Sequence, residues 1–402
     1  MKKRVAVKDL NVGMYVVQVT KSNGSAIMTS KGVIKHLGAI KKLKSLGVKE
    51  VEIDTSKSVV AAEDLSPETS PSQNETLDTS IERNATPLAS EMRRAKSMYA
   101  DARTELKNTF ETLKRGGDID IAPYEDIAKG FFESVFRNQD ALLCMTKLQD
   151  KDSYLFEHSL NVAILLAIFS VHLGFSKQLG TKLTLAGLLH DLGKSKISDD
   201  ILFKQGKLSK DEFEIMKLHT VYGEDILSNM NVDDLTKQIA LQHHERLSGS
   251  GYPHGLIAHQ INQYVRMSSI ADSYDAITAE RVYKPAISSV EALRLLQQSQ
   301  GKEYDDDLIN KFVRAIGLYS IGTVVLMKSQ KLAIVTDTNY EAPLKPSLTA
   351  FYHTRFKRHI EPSPIALQLT RETDAIEKVV NAADYQLDIN LLIERFILDS
   401  YR

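Results

Sequence analysis

From about residue 124 to about residue 318, apolar residues recur at steps of three and four, with few β-branched runs and with loops marked by Gly and Pro. That is the period of an α-helix, and it commits nearly half of the 402-residue chain to an all-α domain. Into this apolar background the sequence sets an unusual density of ionisable groups. Eight of the 11 histidines fall between His158 and His259, in only about a quarter of the chain. Adjacent pairs such as His190-Asp191 and His243-His244 are costly to bury in apolar helices unless they have partners.

Seven residues form the candidate site: His158, His190, Asp191, His219, His243, His244 and Asp272. Imidazole nitrogens mixed with carboxylates suit Fe, Mn, Zn or Ni rather than Mg or Ca. The donors sit on different predicted helices, roughly thirty residues apart, which is about one helix with its connection. Helices crossing in a bundle can turn all seven inward, and five histidines with two aspartates can complete two metal sites. Asp191 is the natural bridging ligand, because its two oxygens can reach two cations a few ångströms apart, the separation used in two-metal phosphoester hydrolysis. His172, alone in its apolar run, reads as a satisfied core residue, and His254 and His259 read as solvated loop imidazoles.

Lys194 follows Asp191 by three positions and shares its face if the helix continues, which fits an anionic substrate such as a phosphodiester. Gly193 permits close approach there. Arg281, Tyr283 and Lys284, close in sequence to Asp272, add two cations and an aromatic, although a solvated charge run fits them equally well.

Outside the all-α region, residues 5 to 55 alternate short Val/Ile-rich runs with glycines, with a helix expected over 37–46 and a strand over 48–53, a small α+β unit. From about 56 to 88 the composition turns to Ser, Thr, Glu, Asn and Pro and predicts a flexible linker. Met92, Ala95, Tyr99, Ala102, Leu106, Phe110 and Leu113 then share one face of a helix over about 89–115, ended by Gly116-Gly117. An ordinary helix packed on its own domain is favoured over a homodimer seam. These segments make an N-terminal domain over 1–123, followed by the catalytic bundle over 124–318 and a mixed β/α extension over 319–402. In that extension, runs at 323–328 and 331–336 predict a β-hairpin and residues 389–397 a closing helix.

A single cysteine excludes a disulfide framework, and a formal net charge of −1 gives no footprint for a nucleic-acid polymer. No apolar signal core follows Met1-Lys2-Lys3-Arg4, and the apolar stretch 160–175 is interrupted and short of the ~20 residues of a membrane span. The expected location is cytoplasmic, with that stretch a buried helix.

The segments HDLGK at 190–194, MKLHTVYG around His219, HHERLSGSGYP at 243–253 and ADSYDAITAERVYK at 271–284 resemble the HD-GYP family, bacterial cyclic di-GMP phosphodiesterases. The likeness covers about residues 124–318, and the part before it resembles the poorly characterised domain that often accompanies this catalytic domain. The resemblance implies an HD-type helical bundle in which His158, His190, Asp191 and Asp272 hold one divalent metal and Asp191 bridges to a second on His219, His243 and His244. Iron is the first expectation, with manganese or nickel as alternatives. It further implies that Lys194, Arg281 and Lys284 meet substrate phosphates, and that the Gly251-Tyr252-Pro253 loop borders the site and contacts partner signalling proteins.

Two positions depart from the family pattern. Tyr154 stands where some members place a glutamate that binds a third metal, so two metals are expected. Ser248 replaces the aspartate of the HHExxDGxGYP pattern. The expected reaction is hydrolysis of cyclic di-GMP to linear pGpG, and onward to GMP in some settings, by in-line attack of a metal-bridging hydroxide, with Asp191 and Lys194 as the catalytic pair. Two other readings compete: a cyclic-dinucleotide-binding module with little turnover, and a di-iron oxygenase. Lys194, Arg281, Lys284 and the GYP segment favour the phosphodiesterase.

Overall fold

The computed structural model describes residues 2–7, 10, 15–22, 32–33, 43–44, 48–54, 86–148, 154–279, 287–339, 342–367 and 374–399. The chain forms two compact units, Met1–Gln73 and Asn74–Arg402.

The first unit is an antiparallel sheet of β1 (Lys2–Ala6), β2 (Tyr15–Ser22), β3 (Gly32–Val33) and β4 (Val48–Asp54), in the order β1-β4-β2-β3. In β4, buried Val51 and Ile53 alternate with part-exposed Glu50 and Glu52, the period-two pattern of a half-buried strand. They pack with Val7, Leu10, Val16 and Val48 in a small separate core. Most of the helix expected over 37–46 and of the linker expected over 56–88 falls outside the described residues.

The second unit opens with α1 (Leu88–Lys114) and α2 (Ala122–Met145). All seven residues of the apolar stripe on α1 are buried, and all but Phe110 belong to the unit's main core. Buried Glu91 on α1 anchors the pair, accepting two 2.8 Å hydrogen bonds from Arg137 and one of 2.7 Å from Ser134. After α1, Gly116 adopts φ +77°, the left-handed turn that lets the chain leave the helix.

Next come α3 (Tyr154–His172), α4 (Lys177–Leu189), a 3₁₀ turn (Leu192–Lys196), α5 (Asp199–Leu202), α6 (Lys210–Lys217), α7 (His219–Ser228), α8 (Asp234–Gln242), α9 (Gln263–Thr278), α10 (Ser289–Gln298) and α11 (Asp306–Ile316). Side-chain N-caps start two of the helices that carry the site, with Asp233 accepting from Thr236 N before α8 and Asn262 from Val265 N before α9. Among the described residues only Leu155–His172 is long and apolar enough to cross a bilayer, and 83% of it is buried inside the protein. A helix apolar on every side belongs in the middle of a core, and α3 is that central helix.

The unit closes with a five-stranded antiparallel sheet in the order β8-β7-β6-β5-β9, built from β5 (Val324–Met327), β6 (Lys331–Asp337), β7 (Ser347–His353), β8 (Arg358–Ala366) and β9 (Ile376–Val379), and then α12 (Ile389–Ile393). Strand alternation divides its residues: Val324, Leu326, Leu332 and Ile334 join the helical core, while Val325, Met327, Ala333 and Val335 form a separate cluster on the other face. The expected hairpin is β5-β6. Strand β8, with Pro362 and Pro364 that cannot donate to a ladder, lies at the sheet edge.

Candidate metal centre

The structure brings all seven predicted donors together, but mostly on helix ends rather than helix faces. His158 lies on α3 and Asp272 on α9, whereas His190 caps the end of α4, His219 opens α7 and His243 caps the end of α8. Consecutive residues within a helix point in divergent directions. Where the helix stops, the chain turns, and that lets His190 with Asp191, and His243 with His244, face the same centre.

Three close groups result, His158/His190/Asp272, His219/His243/His244 and His190/Asp191/His243, each with one donor atom per residue within 4.8 Å of the others. Asp191 stands between them. Its Oδ2 is 3.3 Å from His190 Nε2 and 3.5 Å from His158 Nε2, while its Oδ1 is 3.4 Å from His219 Nε2 and 3.8 Å from His243 Nε2. Asp272 Oδ1 lies 3.1 Å from His158 Nε2 and its Oδ2 3.5 Å from His244 Nδ1.

The backbone orients three of the imidazoles in one way. The Nδ1–H of His190 donates to Gly187 O at 2.8 Å, that of His219 to Met216 O at 2.6 Å and that of His243 to Ala240 O at 3.0 Å. Each carbonyl lies one turn earlier on the chain and fixes the tautomer that leaves the Nε2 lone pair on the centre. His190 Nε2 and Asp191 Oδ1 are buried without a hydrogen bond. Buried polar atoms are nearly always satisfied, so these orphaned acceptors, among imidazole nitrogens and carboxylate oxygens, fit a divalent cation.

The charges agree with that fit. Burial pushes His219 down to about 4 and His243 down to about 3, so both imidazoles are neutral at pH 7. Burial also opposes the charged form of His158, yet the Asp272 and Asp275 carboxylates outweigh it and hold this imidazole up to about 9. Burial likewise opposes ionisation of Asp191, but His190 and Lys194 keep it well below the usual carboxylate range. In the metal-free protein the His158 imidazolium is therefore a positive charge among these carboxylates.

The helix does not continue to Lys194. The chain tightens into the 3₁₀ turn, which still sets Lys194 Nζ 2.5 Å from Asp191 Oδ2. The turn is pressed against α7: a Cβ on Gly193 would lie 1.9 Å from His219 O. The GYP segment borders the centre, its Tyr252 ring 4.7 Å from that of His244 and 6.3 Å from that of His219. Ser248 is exposed, with its hydroxyl 2.8 Å from that of Ser250, so this departure from the family pattern falls on the surface. Arg281 and Lys284 lie outside the described residues, as does the side chain of Tyr154.

Sequence reasoning missed two carboxylates. Asp275, one turn after Asp272 on α9, accepts from His158 Nδ1 at 2.7 Å and completes a carboxylate-histidine pair. Buried Glu245 accepts from His254 N at 2.7 Å and Leu256 N at 2.8 Å and so holds the GYP loop over the centre. The three-residue spacing of Asp275 and the place of Glu245 directly after His244 were the available signals.

Residues 143–308 match the HD domain and residues 2–124 a domain of unknown function, DUF3391. The chain is 32% identical over 383 residues to a cyclic di-GMP phosphodiesterase of Pseudomonas aeruginosa, spanning 94% of this chain and 91% of that protein. It is 34% identical over 211 residues to a cyclic di-GMP phosphodiesterase of Thermotoga maritima, spanning 52% of this chain and 55% of that one. Among solved structures it is similar to an HDG"Y"P protein from Bdellovibrio bacteriovorus, with 17% identity, a TM-score of 0.48 and coverage of 78% of this chain and 98% of that one. Aligned along nearly its whole length with the first of these relatives, the chain belongs to the HD-GYP family of cyclic di-GMP phosphodiesterases, with a DUF3391 domain preceding the HD domain.

Proposed function

We propose that this protein hydrolyses cyclic di-GMP to linear pGpG in the cytoplasm, at a site holding two divalent ions, iron first, with manganese or nickel as alternatives. The observation that carries this reading is Asp191, whose Oδ2 faces His158 and His190 while its Oδ1 faces His219 and His243. On this reading His158, His190, Asp191 and Asp272 hold one ion, and Asp191, His219, His243 and His244 the other. The bound ions supply Lewis acidity and a nucleophilic water at neutral pH.

The chain's own residues do the rest. Carbonyl-fixed tautomers on His190, His219 and His243 keep the nitrogen lone pairs aimed without reorganisation during turnover. Lys194, part-exposed beside Asp191, neutralises the non-bridging oxygens of the phosphodiester. The Tyr252 ring, stacked beside His244, forms an apolar wall that excludes water and orients the nucleotide. Arg281 and Lys284 are assigned to the substrate phosphates by their match to the family motif.

The His190→Ala/Asp191→Ala double variant is expected to lose metal and hydrolysis together, measured by metal content and by chromatographic detection of pGpG. Wild-type turnover in that variant would overturn the proposal.

A further inference from the structure

Helix α1 lies within the DUF3391 match rather than the HD match, yet it is seated against the ligand-bearing helix α3. Arg103 pairs with Glu157 at 3.5 Å, and Phe110 meets Phe156 edge to face with ring centroids 5.6 Å apart. Between these contacts runs a hydrogen-bond chain. Tyr99 Oη donates to Asn161 Oδ1 at 3.0 Å, Asn161 Nδ2 donates to Asp275 Oδ1 at 2.9 Å, and His158 Nδ1 donates to Asp275 Oδ2 at 2.7 Å. All four residues are buried, and the spacing brings them together, since Asn161 follows His158 by one helical turn.

The direction of each bond is set by chemistry. Burial, with Glu157 and Asp275 adding to it, pushes the Tyr99 phenol well above its ordinary value, so the hydroxyl keeps its proton. An amide between a phenol donor and a carboxylate must turn its oxygen to the phenol and its NH₂ to the carboxylate. Only that orientation lets Asp275 be held from one side while it accepts from His158 on the other.

We propose that Tyr99 is a positioning residue for the metal centre, acting through Asn161 and Asp275 to fix the His158 ring, so that the DUF3391-matched segment supplies part of the support of the HD site. The inference rests on the metal reading given above. Without the hydroxyl, Asn161 Oδ1 is left unpaired and buried, the amide can rotate, and Asp275 loses its fixed donor. Loss of outer-shell partners of metal-bound histidines typically weakens metal binding about 10- to 100-fold.

The test compares Tyr99→Phe with Tyr124→Phe in the full chain, titrated with Co(II). Tyr124 is also buried, but its hydroxyl pairs with Glu105 O at 3.4 Å and with Thr109 rather than with Asn161, so it controls for deleting a buried phenol oxygen. Tyr99→Phe is expected to weaken Co(II) binding by about tenfold and to shift its visible ligand-field bands, whereas Tyr124→Phe leaves affinity and spectrum as in the wild type. Should Tyr99→Phe not fold, Asn161→Ser is expected to give the same weakening and the same shift. Where both fold, the double variant should bind no more weakly than Asn161→Ser alone. Wild-type affinity and spectrum in a folded Tyr99→Phe or Asn161→Ser variant, or additive losses in the double variant, would overturn the role of Tyr99. A wild-type protein that binds no Co(II) would instead overturn the metal reading beneath it.

Discussion

Gly193→Ala should dismantle half of the centre without touching a proposed ligand. The added Cβ would meet only backbone, at 1.9 Å from His219 O, 2.4 Å from Gly223 N and 2.9 Å from Gly223 Cα. No flexible side chain is available to swing away, so the 3₁₀ turn and α7 must part. Opening the closest of these contacts to 3.0 Å, the lower limit for a real Cβ, separates them by about 1.1 Å. His219 rides on α7 and Asp191 on the turn, and metal–ligand distances tolerate only about 0.2 Å.

The cost in stability is about 1–3 kcal/mol for overpacking, roughly 2–10 °C in Tm for a domain of this size. The cost in function is larger, since a 1 Å misplacement is worth about 100-fold in rate. The assay is metal content after desalting, turnover and thermal melting on one preparation. Gly130→Ala is the control: its Cβ would find nothing nearer than Met98 Cε at 3.9 Å, and it should be neutral or stabilising by up to about 1 kcal/mol. A Gly193→Ala protein with wild-type metal content and turnover would refute the idea that the turn and α7 must touch to form the site.

Lys194→Ala should keep its metal but turn over about 100-fold more slowly, because it removes one electrostatic stabiliser and no proposed ligand; parallel loss of metal would show that the lysine is structural. Glu245→Gln should raise KM more than it lowers kcat, since the amide sets a donor against one of the two loop N–H groups at a cost of about 1–3 kcal/mol; unchanged KM would disconnect the loop from substrate. Metal affinity should fall as pH falls below about 9, because a cation at His158 Nε2 displaces the proton that faces Asp272 there, on an imidazolium that Asp275 also stabilises from Nδ1. His219 at about 4 and His243 at about 3 are already neutral above pH 5 and add no pH dependence there. Calorimetric titrations in buffers of different ionisation enthalpy should therefore show proton release at pH 7, and their absence would contradict the charge state given to His158.

The site was legible because its chemistry is incompatible with its background: His190-Asp191 and His243-His244 stand inside apolar periodicity, and no core accepts such pairs without partners. What periodicity could not convey is that these pairs sit where helices stop, since a helical repeat carries no information on its own termination when no Gly or Pro marks it. The supporting residues were harder to see. Tyr99 reads as one more member of an apolar stripe, and Asn161 as an interruption in an apolar run; only packing α1 against α3 gives the hydroxyl and the amide their partners. The C-terminal sheet beyond β5-β6 escaped for a similar reason: Pro362 and Pro364 argue against a central strand and permit an edge one, and strand order is a tertiary property.

The most direct test of the two-ion phosphodiesterase is cyclic di-GMP hydrolysis by the purified protein after anaerobic loading with Fe(II) or Mn(II), with bound metal quantified in the same sample. Turnover to pGpG with about two ions per chain is the predicted result. Full turnover after chelation, or two ions and tight nucleotide binding without hydrolysis, would contradict it.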